Sequence, residues 1–402
     1  MMRIAYISAD AGVPVFGSKG CSVHVQEMVR ALAECGAQID LFTTRSEGDR
    51  PAGLECVRVH QLAPAPKGDL AFREQQCQAN NGPMRAILEK EGRFDLIYER
   101  YSLWSYAAME YARARSIPAV LEVNAPLVEE QAEYRGLVDR AGALAIARRV
   151  FAAARNILAV SEGVAAYLEQ FPESRAKVHI LPNAVRPGRF PAGLRPSLPT
   201  MPGIFTVGFV GSMKPWHGVA DLVTAFAQLQ AEEPGNRLLL VGDGSARVEL
   251  QGLANSLGVS NAVHFTGAVS PAEVPALLAS MNVGVAPYHD CRNFYFSPLK
   301  VYEYMAAGLP VIATAVGQLR EIIEPGITGM LVPPSTPAAL ASVLSEVRRQ
   351  PELRARLGEA ARARVLSEFT WERNARRILH LAGLATDSHL ENSAPRAKHV
   401  AT

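Results

Sequence analysis

The sequence predicts an α/β protein made of two successive doubly wound parallel-sheet units with a cleft between them. Three observations lead there. Short apolar runs of strand length alternate with stretches of helical period along nearly the whole chain. At 402 residues the chain is about two domains long and can bury two cores. Between residues 188 and 203 the composition shifts to Gly188, Pro191, Gly193, Pro196, Pro199, Pro202 and Gly203, which sustain neither a helix nor a central strand, and the alternation then restarts.

Taken in order, residues 3–8 read as a buried first strand, followed by a loop over residues 9–20 that carries Gly12, Pro14, Gly17 and Gly20. Val25, Met28, Val29 and Leu32 then recur at helical spacing until Gly36 stops them. Strand-like runs return at 38–43, 55–61, 96–99, 119–123, 156–160 and 178–181. After the linker, strands are expected at 205–210, 237–241, 262–265, 283–286, 311–313 and 330–332, with helices near 219–230, 246–257, 272–279, 298–307 and 337–349. Residues 354–365 and 371–384 read as further helices. The polar end is expected to be a disordered tail over 386–402.

Composition narrows the function classes. About half of the residues are apolar (49%), a fifth are charged (20%), and the net charge is only +2. That balance describes an ordinary globular α/β protein and gives no global reason to expect nucleic acid. Five widely spaced cysteines without a Cys-x-x-Cys pair imply free thiols in a reducing compartment. No uncharged apolar run approaches membrane-spanning length, and Asp10 interrupts any signal-like core, so the expected location is cytoplasmic. Peripheral contact with the inner face of a membrane is the furthest extension of that reading. It rests on residues 134–155, where Arg135, Arg140, Arg148, Arg149 and Arg155 lie among apolar residues.

In open parallel sheets ligands bind beyond the carboxyl ends of the strands. The second half places three loops there: Gly211 to Gly218, with Lys214 and His217; Gly242, Asp243 and Gly244; and a short helix expected to start at Pro298, with Ser297 as N-cap and Gly308 as stop. A helix start offers unpaired N–H groups and the positive end of a dipole, so a diphosphate suits it. Lys300 in the first turn suits the phosphates, and Glu303, one turn deeper, suits ribose hydroxyls. A nicotinamide enzyme is disfavoured, because Gly242-Asp243-Gly244 has Arg247 where the third glycine of a dinucleotide fingerprint belongs. The 9–20 loop is also too long for that turn. Neither an Asp-x-Asp at a strand end nor a His cluster with ligand spacing is found, so no metal site is expected.

Four motifs, in order, carry a resemblance. These are Gly17 to His24, with Gly20 and His24 four apart; Leu181-Pro182-Asn183-Ala184-Val185, followed by Arg189-Phe190; Leu240-Val241-Gly242-Asp243-Gly244; and the run from Glu303 to Val311. Over nearly its whole length the chain resembles the family 4 glycosyltransferases of the GT-B fold, with two facing Rossmann-like domains. The resemblance implies retaining transfer of a sugar from a nucleotide diphosphate sugar, UDP or GDP most of all, with no tightly bound cofactor or metal. Residues 1–187 would bind a glycan, lipid-linked or small-molecule acceptor. Residues 188–203 would be the linker, 204–370 would bind the donor, and a helix over 371–385 would cross back to the first domain.

It also implies site residues. Lys214 and Lys300 would neutralise the leaving diphosphate, and Asn124 stands where relatives place a His near the reacting sugar. Gly20, Gly211, His217, Gly242, Gly244, Ser297, Pro298, Leu299 and Glu303 would surround the donor. His24, Glu129 and Glu130 would lie on the acceptor side. Two departures stand out. The first of the family's two signature glutamates falls on Tyr295, leaving Asp290, Asn293 or the backbone from Ser297 to Lys300 to hold the sugar. Of the family's Arg and Lys pair in the first donor loop, only Lys214, with His217 near it, is present. A catalytically degenerate homologue that binds nucleotide sugar or a partner protein is the alternative.

Overall fold

The computed structural model describes residues 1–64, 68–199, 203–290 and 294–384. The expected tail, residues 200–202 of the expected linker, and Asn293 lie outside the described residues.

The first sheet contains β1 (Met2–Ser8), β2 (Ala37–Thr43), β3 (Arg58–Gln61), β4 (Leu96–Arg100), β5 (Ala119–Val123), β6 (Asn156–Ala159) and β7 (Val178–Ile180), in the order β3-β2-β1-β4-β5-β6-β7. The second contains β8 (Phe205–Val210), β9 (Asn236–Val241), β10 (Val263–Gly267), β11 (Val283–Ala286), β12 (Val311–Thr314) and β13 (Gly329–Val332), in the order β10-β9-β8-β11-β12-β13. Every pairing in both sheets is parallel. This is the two-unit α/β architecture that the alternation predicts. Order reverses between β1 and β4 in one sheet and between β8 and β11 in the other, which opens a crevice at each switch point.

Parallel strands are covered on both faces, and their side chains divide with period two. In β1, Ala5 and Ile7 join Phe42, Ile97, Leu121 and Ile157 in one core. Ile4 and Tyr6 join Leu41, Leu96, Tyr98 and Val120 in the opposite one. That second core also takes Val25, Met28, Val29 and Leu32 of the helix Gly20–Glu34 and Trp371, Ala375, Ile378 and Leu379 of the helix Trp371–Leu381. The last helix, capped by Thr370, therefore packs on the first sheet although it follows the second. The return is fixed by backbone bonds from Val185 N to Phe369 O (2.9 Å) and from Trp371 N to Val185 O (3.2 Å).

The arginine-rich stretch is less basic than its composition implies. Arg135 meets Glu130 at 2.8 Å, Arg140 meets Glu129 at 3.7 Å, Arg148 meets Glu173 at 3.3 Å and Arg149 meets Glu110 at 3.0 Å. Carboxylates thus face four of the five arginines, and the charge offered to an anionic membrane is correspondingly reduced. No described helix is long and apolar enough to cross a membrane.

Candidate active site

The site begins at the β8/β11 switch point. The short helix Leu299–Ala306 starts one residue later than the sequence predicts. Pro298 is its N-cap and its side chain accepts no capping bond, so the start offers the amides of Leu299 and Lys300. Ser297 does not cap this helix. Its Oγ accepts from Asn183 N at 2.9 Å and its carbonyl accepts from Asn183 Nδ2 at 2.5 Å, so a residue 114 positions away takes the role expected of the helix's own backbone. The stop is as expected: Gly308 adopts φ +73°, which suits glycine.

Lys300 is 8% exposed, and its Nζ has no hydrogen-bond partner among the described residues. The ammonium lies 4.0 Å from the centre of the Phe209 ring and 5.0 Å from that of Tyr288. Tyr288, itself 4% exposed, thus packs as one wall around this lysine. Burial pushes Lys300 down to about 7. A buried, unpartnered ammonium beside a helix start is an arrangement that an anion completes.

The glycine loops close around it. A Cβ on Gly211 would sit 2.9 Å from Lys300 Nζ, and one on Gly242, at φ +123°, would sit 2.2 Å from Gly211 O. At Gly244 a Cβ would fall 2.3 Å from Met213 O. The first two donor loops therefore stack backbone on backbone over the lysine. Lys214 is part-buried and has no ion-pair partner among the described residues. His217 does not act as a second cation: burial first, then the charges of Lys300 and Lys214, push it down to about 3, and its Nδ1 faces Ser212 O. Glu303 is largely buried and meets Arg189 at 2.9 Å. Burial raises its carboxyl above the usual range, with Arg189 offsetting part of the shift. Arg189 also lines a cavity of about 700 Å³ with Gln26, Glu27, Arg30 and Pro271. Arg189 was legible only as part of a motif, since nothing in the spacing signals an ion pair spanning 114 positions.

From the first sheet, Gly20 opens the helix Gly20–Glu34 and a Cβ there would meet Leu299 Cδ1 at 3.7 Å, so the two helix starts approach each other. Asn124 follows β5, and its Oδ1 is buried without a partner among the described residues. Glu130 is committed to Arg135 and to Tyr295, whose hydroxyl donates to Oε2 at 2.9 Å. Tyr295, at the position of the family's first glutamate, thus reaches across the cleft as a strut. Glu129 keeps one buried oxygen unpartnered beside its 3.7 Å approach to Arg140. Asp290 is exposed. His24 is not open to an acceptor. It is 3% exposed, its Nδ1 lies 2.6 Å from Asn183 Oδ1, and its Nε2 lies 2.7 Å from Glu122 Oε1. Trp216 is 39% exposed and approaches Tyr134 of the first half at 6.0 Å.

Folding also gathers one carboxylate and histidine cluster that spacing does not reveal, Asp40, His60 and Glu91. Guanidinium groups already occupy it, with Arg3 2.7 Å from Asp40 and Arg58 2.6 Å from Glu91. Two cations within a three-ligand set make it a poor fit for a divalent ion.

Residues 19–184 match the glycosyl transferase 4-like domain, and residues 195–364 match the glycosyl transferases group 1 family. The chain is 28% identical to a D-inositol 3-phosphate glycosyltransferase of Actinosynnema mirum, over 96% of this chain and 98% of that one. Among solved structures it superposes on a sucrose-phosphate synthase from Thermosynechococcus elongatus with a TM-score of 0.75 at 24% identity, covering 95% and 98% of the two chains. It also superposes on the HepE protein of Anabaena in complex with UDP-glucose, with a TM-score of 0.71 at 19% identity, covering 96% and 100%. Two adjoining family matches in the order of the two sheets, on the fold these structures share, place the chain among the family 4-type glycosyltransferases of the GT-B fold.

Proposed function

We propose that the protein is a retaining, metal-independent glycosyltransferase that moves a sugar from a UDP- or GDP-sugar to an acceptor hydroxyl in glycan, polysaccharide or glycoconjugate synthesis. The observation that carries this reading is the unpartnered, buried Lys300 ammonium at the tip of the helix Leu299–Ala306. Residues 204–370 hold the donor, residues 1–187 hold the acceptor, 188–203 link them, and 371–385 return to the first half. The diphosphate rests on Lys300, Lys214 and the amides of Leu299 and Lys300, with Gly20, Gly211, Gly242 and Gly244 letting backbone approach it. These groups supply the charge neutralisation that a divalent cation supplies elsewhere. Glu303 exchanges Arg189 for the ribose hydroxyls. That HepE was solved with UDP-glucose supports a uridine donor.

In the proposed chemistry the acceptor oxygen attacks the anomeric carbon on the face from which the diphosphate departs. The carbon–oxygen bond to phosphate breaks as the new glycosidic bond forms, and the acceptor's proton passes to the departing phosphate oxygen. Asn124 donates and accepts hydrogen bonds at the sugar but is no base at neutral pH. Glu129 faces the acceptor, which is a glycan, a lipid-linked sugar or a small metabolite.

The test is a thermal-shift panel of nucleoside diphosphates and their sugars, followed by anomer analysis of the product. At least one nucleotide should raise the melting temperature, because a ligand of the native state alone must do so. Failure of every nucleotide to shift it, an inverted product anomer, or a trapped sugar–protein adduct would overturn the corresponding part. Tyr295 in place of a carboxylate supports a second reading, a homologue that binds nucleotide sugar without turnover. Donor affinity with neither hydrolysis nor transfer would decide for that one.

A further inference from the structure

One polar chain, buried at Glu122, His24 and Ser297 and half-buried at Asn183, joins the two sheet units behind the helix tip. Asn183 Nδ2 donates to the Ser297 carbonyl at 2.5 Å and Asn183 N donates to Ser297 Oγ at 2.9 Å. With its amide nitrogen so committed, Asn183 turns Oδ1 toward His24, whose Nδ1 lies 2.6 Å away and therefore donates. The other ring nitrogen, Nε2, lies 2.7 Å from Glu122 Oε1. Burial resists ionisation of Glu122, but the His24 and Arg100 charges outweigh it and hold the carboxyl below the usual range. Both imidazole nitrogens thus face acceptors, and the ring edge rests on Trp371 at 4.9 Å between centroids. Glu122 is 2% exposed, His24 3% and Ser297 8%.

A buried ionic chain is a poor source of net stability, because apolar residues of similar volume fill such space as well or better. What this one has is position. Glu122 lies on β5 two residues before Asn124, His24 sits one turn after Gly20 on the same helix, and Ser297 immediately precedes the Pro298–Lys300 tip. One chain of contacts therefore sets three parts of the donor site against each other across the two units.

We propose that Glu122, His24 and Asn183 are positioning residues, which hold the Ser297–Lys300 tip in the geometry that grips the donor's diphosphate. This rests on the donor reading given above. The three groups act through Ser297 and touch no substrate themselves.

The experiment measures dissociation constants for UDP and GDP by calorimetry for the full chain and its His24→Gln, Asn183→Ala and Ser297→Ala variants, each alone and combined with Lys300→Met. The expected result is a loss of about tenfold in affinity for the preferred nucleotide in each single variant, with the fold retained by melting temperature and circular dichroism. In the Lys300→Met background the same changes should cost less than about twofold, because a displaced tip no longer has its ammonium to misplace. A merely structural clasp gives additive losses instead. Wild-type affinity in the folded variants, or full additivity with Lys300→Met, overturns the proposal. Should His24→Gln fail to fold, Ser297→Ala removes one hydroxyl and decides the matter in the same terms. Wild-type protein that binds neither nucleotide brings down the donor reading and this inference with it, an outcome distinct from variants that bind as wild type does.

Discussion

If the Lys300 ammonium receives the diphosphate, nucleotide binding must draw a proton from solution above neutral pH. In the free protein burial holds this amine at about 7, against an ordinary value of 10.5. A diphosphate in contact favours the charged form and moves the value back toward the ordinary one. Below pH 7 both states are charged and the lysine adds no pH dependence. Above it the free protein has lost its charge while the complex keeps it, so affinity falls as pH rises. Between pH 7 and pH 9 the loss is about fifty-fold, on the order of 2 kcal/mol at 1.36 kcal/mol per unit. The terminal phosphate of a nucleoside diphosphate ionises near pH 6, which leaves pH 7.5–9 as the informative range. Titrating UDP at pH 8.5 in two buffers of different ionisation heat should reveal uptake of about one proton per site in the wild-type chain and about none in Lys300→Met. A wild-type affinity flat from pH 7.5 to 9, with no proton uptake, would mean that this amine never meets the phosphates.

Three further outcomes are expected. The native state binds this proton less tightly than the unfolded chain, so the stability of the ligand-free protein should rise by about 1.4 kcal/mol per pH unit between pH 7 and 10.5 through this group. Denaturant midpoints of wild type and Lys300→Met should accordingly differ most at low pH, with the methionine variant the more stable. Gly242→Ala puts a Cβ 2.2 Å from Gly211 O at φ +123°, and urea unfolding should show a loss of about 3 kcal/mol together with lost nucleotide binding. Tyr295→Phe removes the 2.9 Å bond to Glu130 across the cleft and should lower stability by about 1 kcal/mol while leaving nucleotide affinity within about twofold. A larger effect on donor affinity would give that tyrosine a role at the sugar.

The parts of this protein that are written locally could be read from the sequence. The Val25, Met28, Val29 and Leu32 stripe, the strand-length apolar runs, and the glycines at Gly211, Gly242 and Gly308 follow from periodicity and from backbone needs within a few residues. They suffice for two parallel sheets and for the position of the helix tip. Packing between distant segments decided the rest. Only the tertiary structure buries Lys300 between Phe209 and Tyr288, turns His217 into a neutral wall, pairs Arg189 with Glu303, and draws Ser297 away from capping to receive Asn183. The same holds for the arginines that seemed to form a basic face until Glu110, Glu129, Glu130 and Glu173 met them. Spacing along the chain determines which way a side chain points from its own helix or strand. Its partner, and therefore its charge, is set by whatever other element lies opposite, and that is a property of the assembled fold.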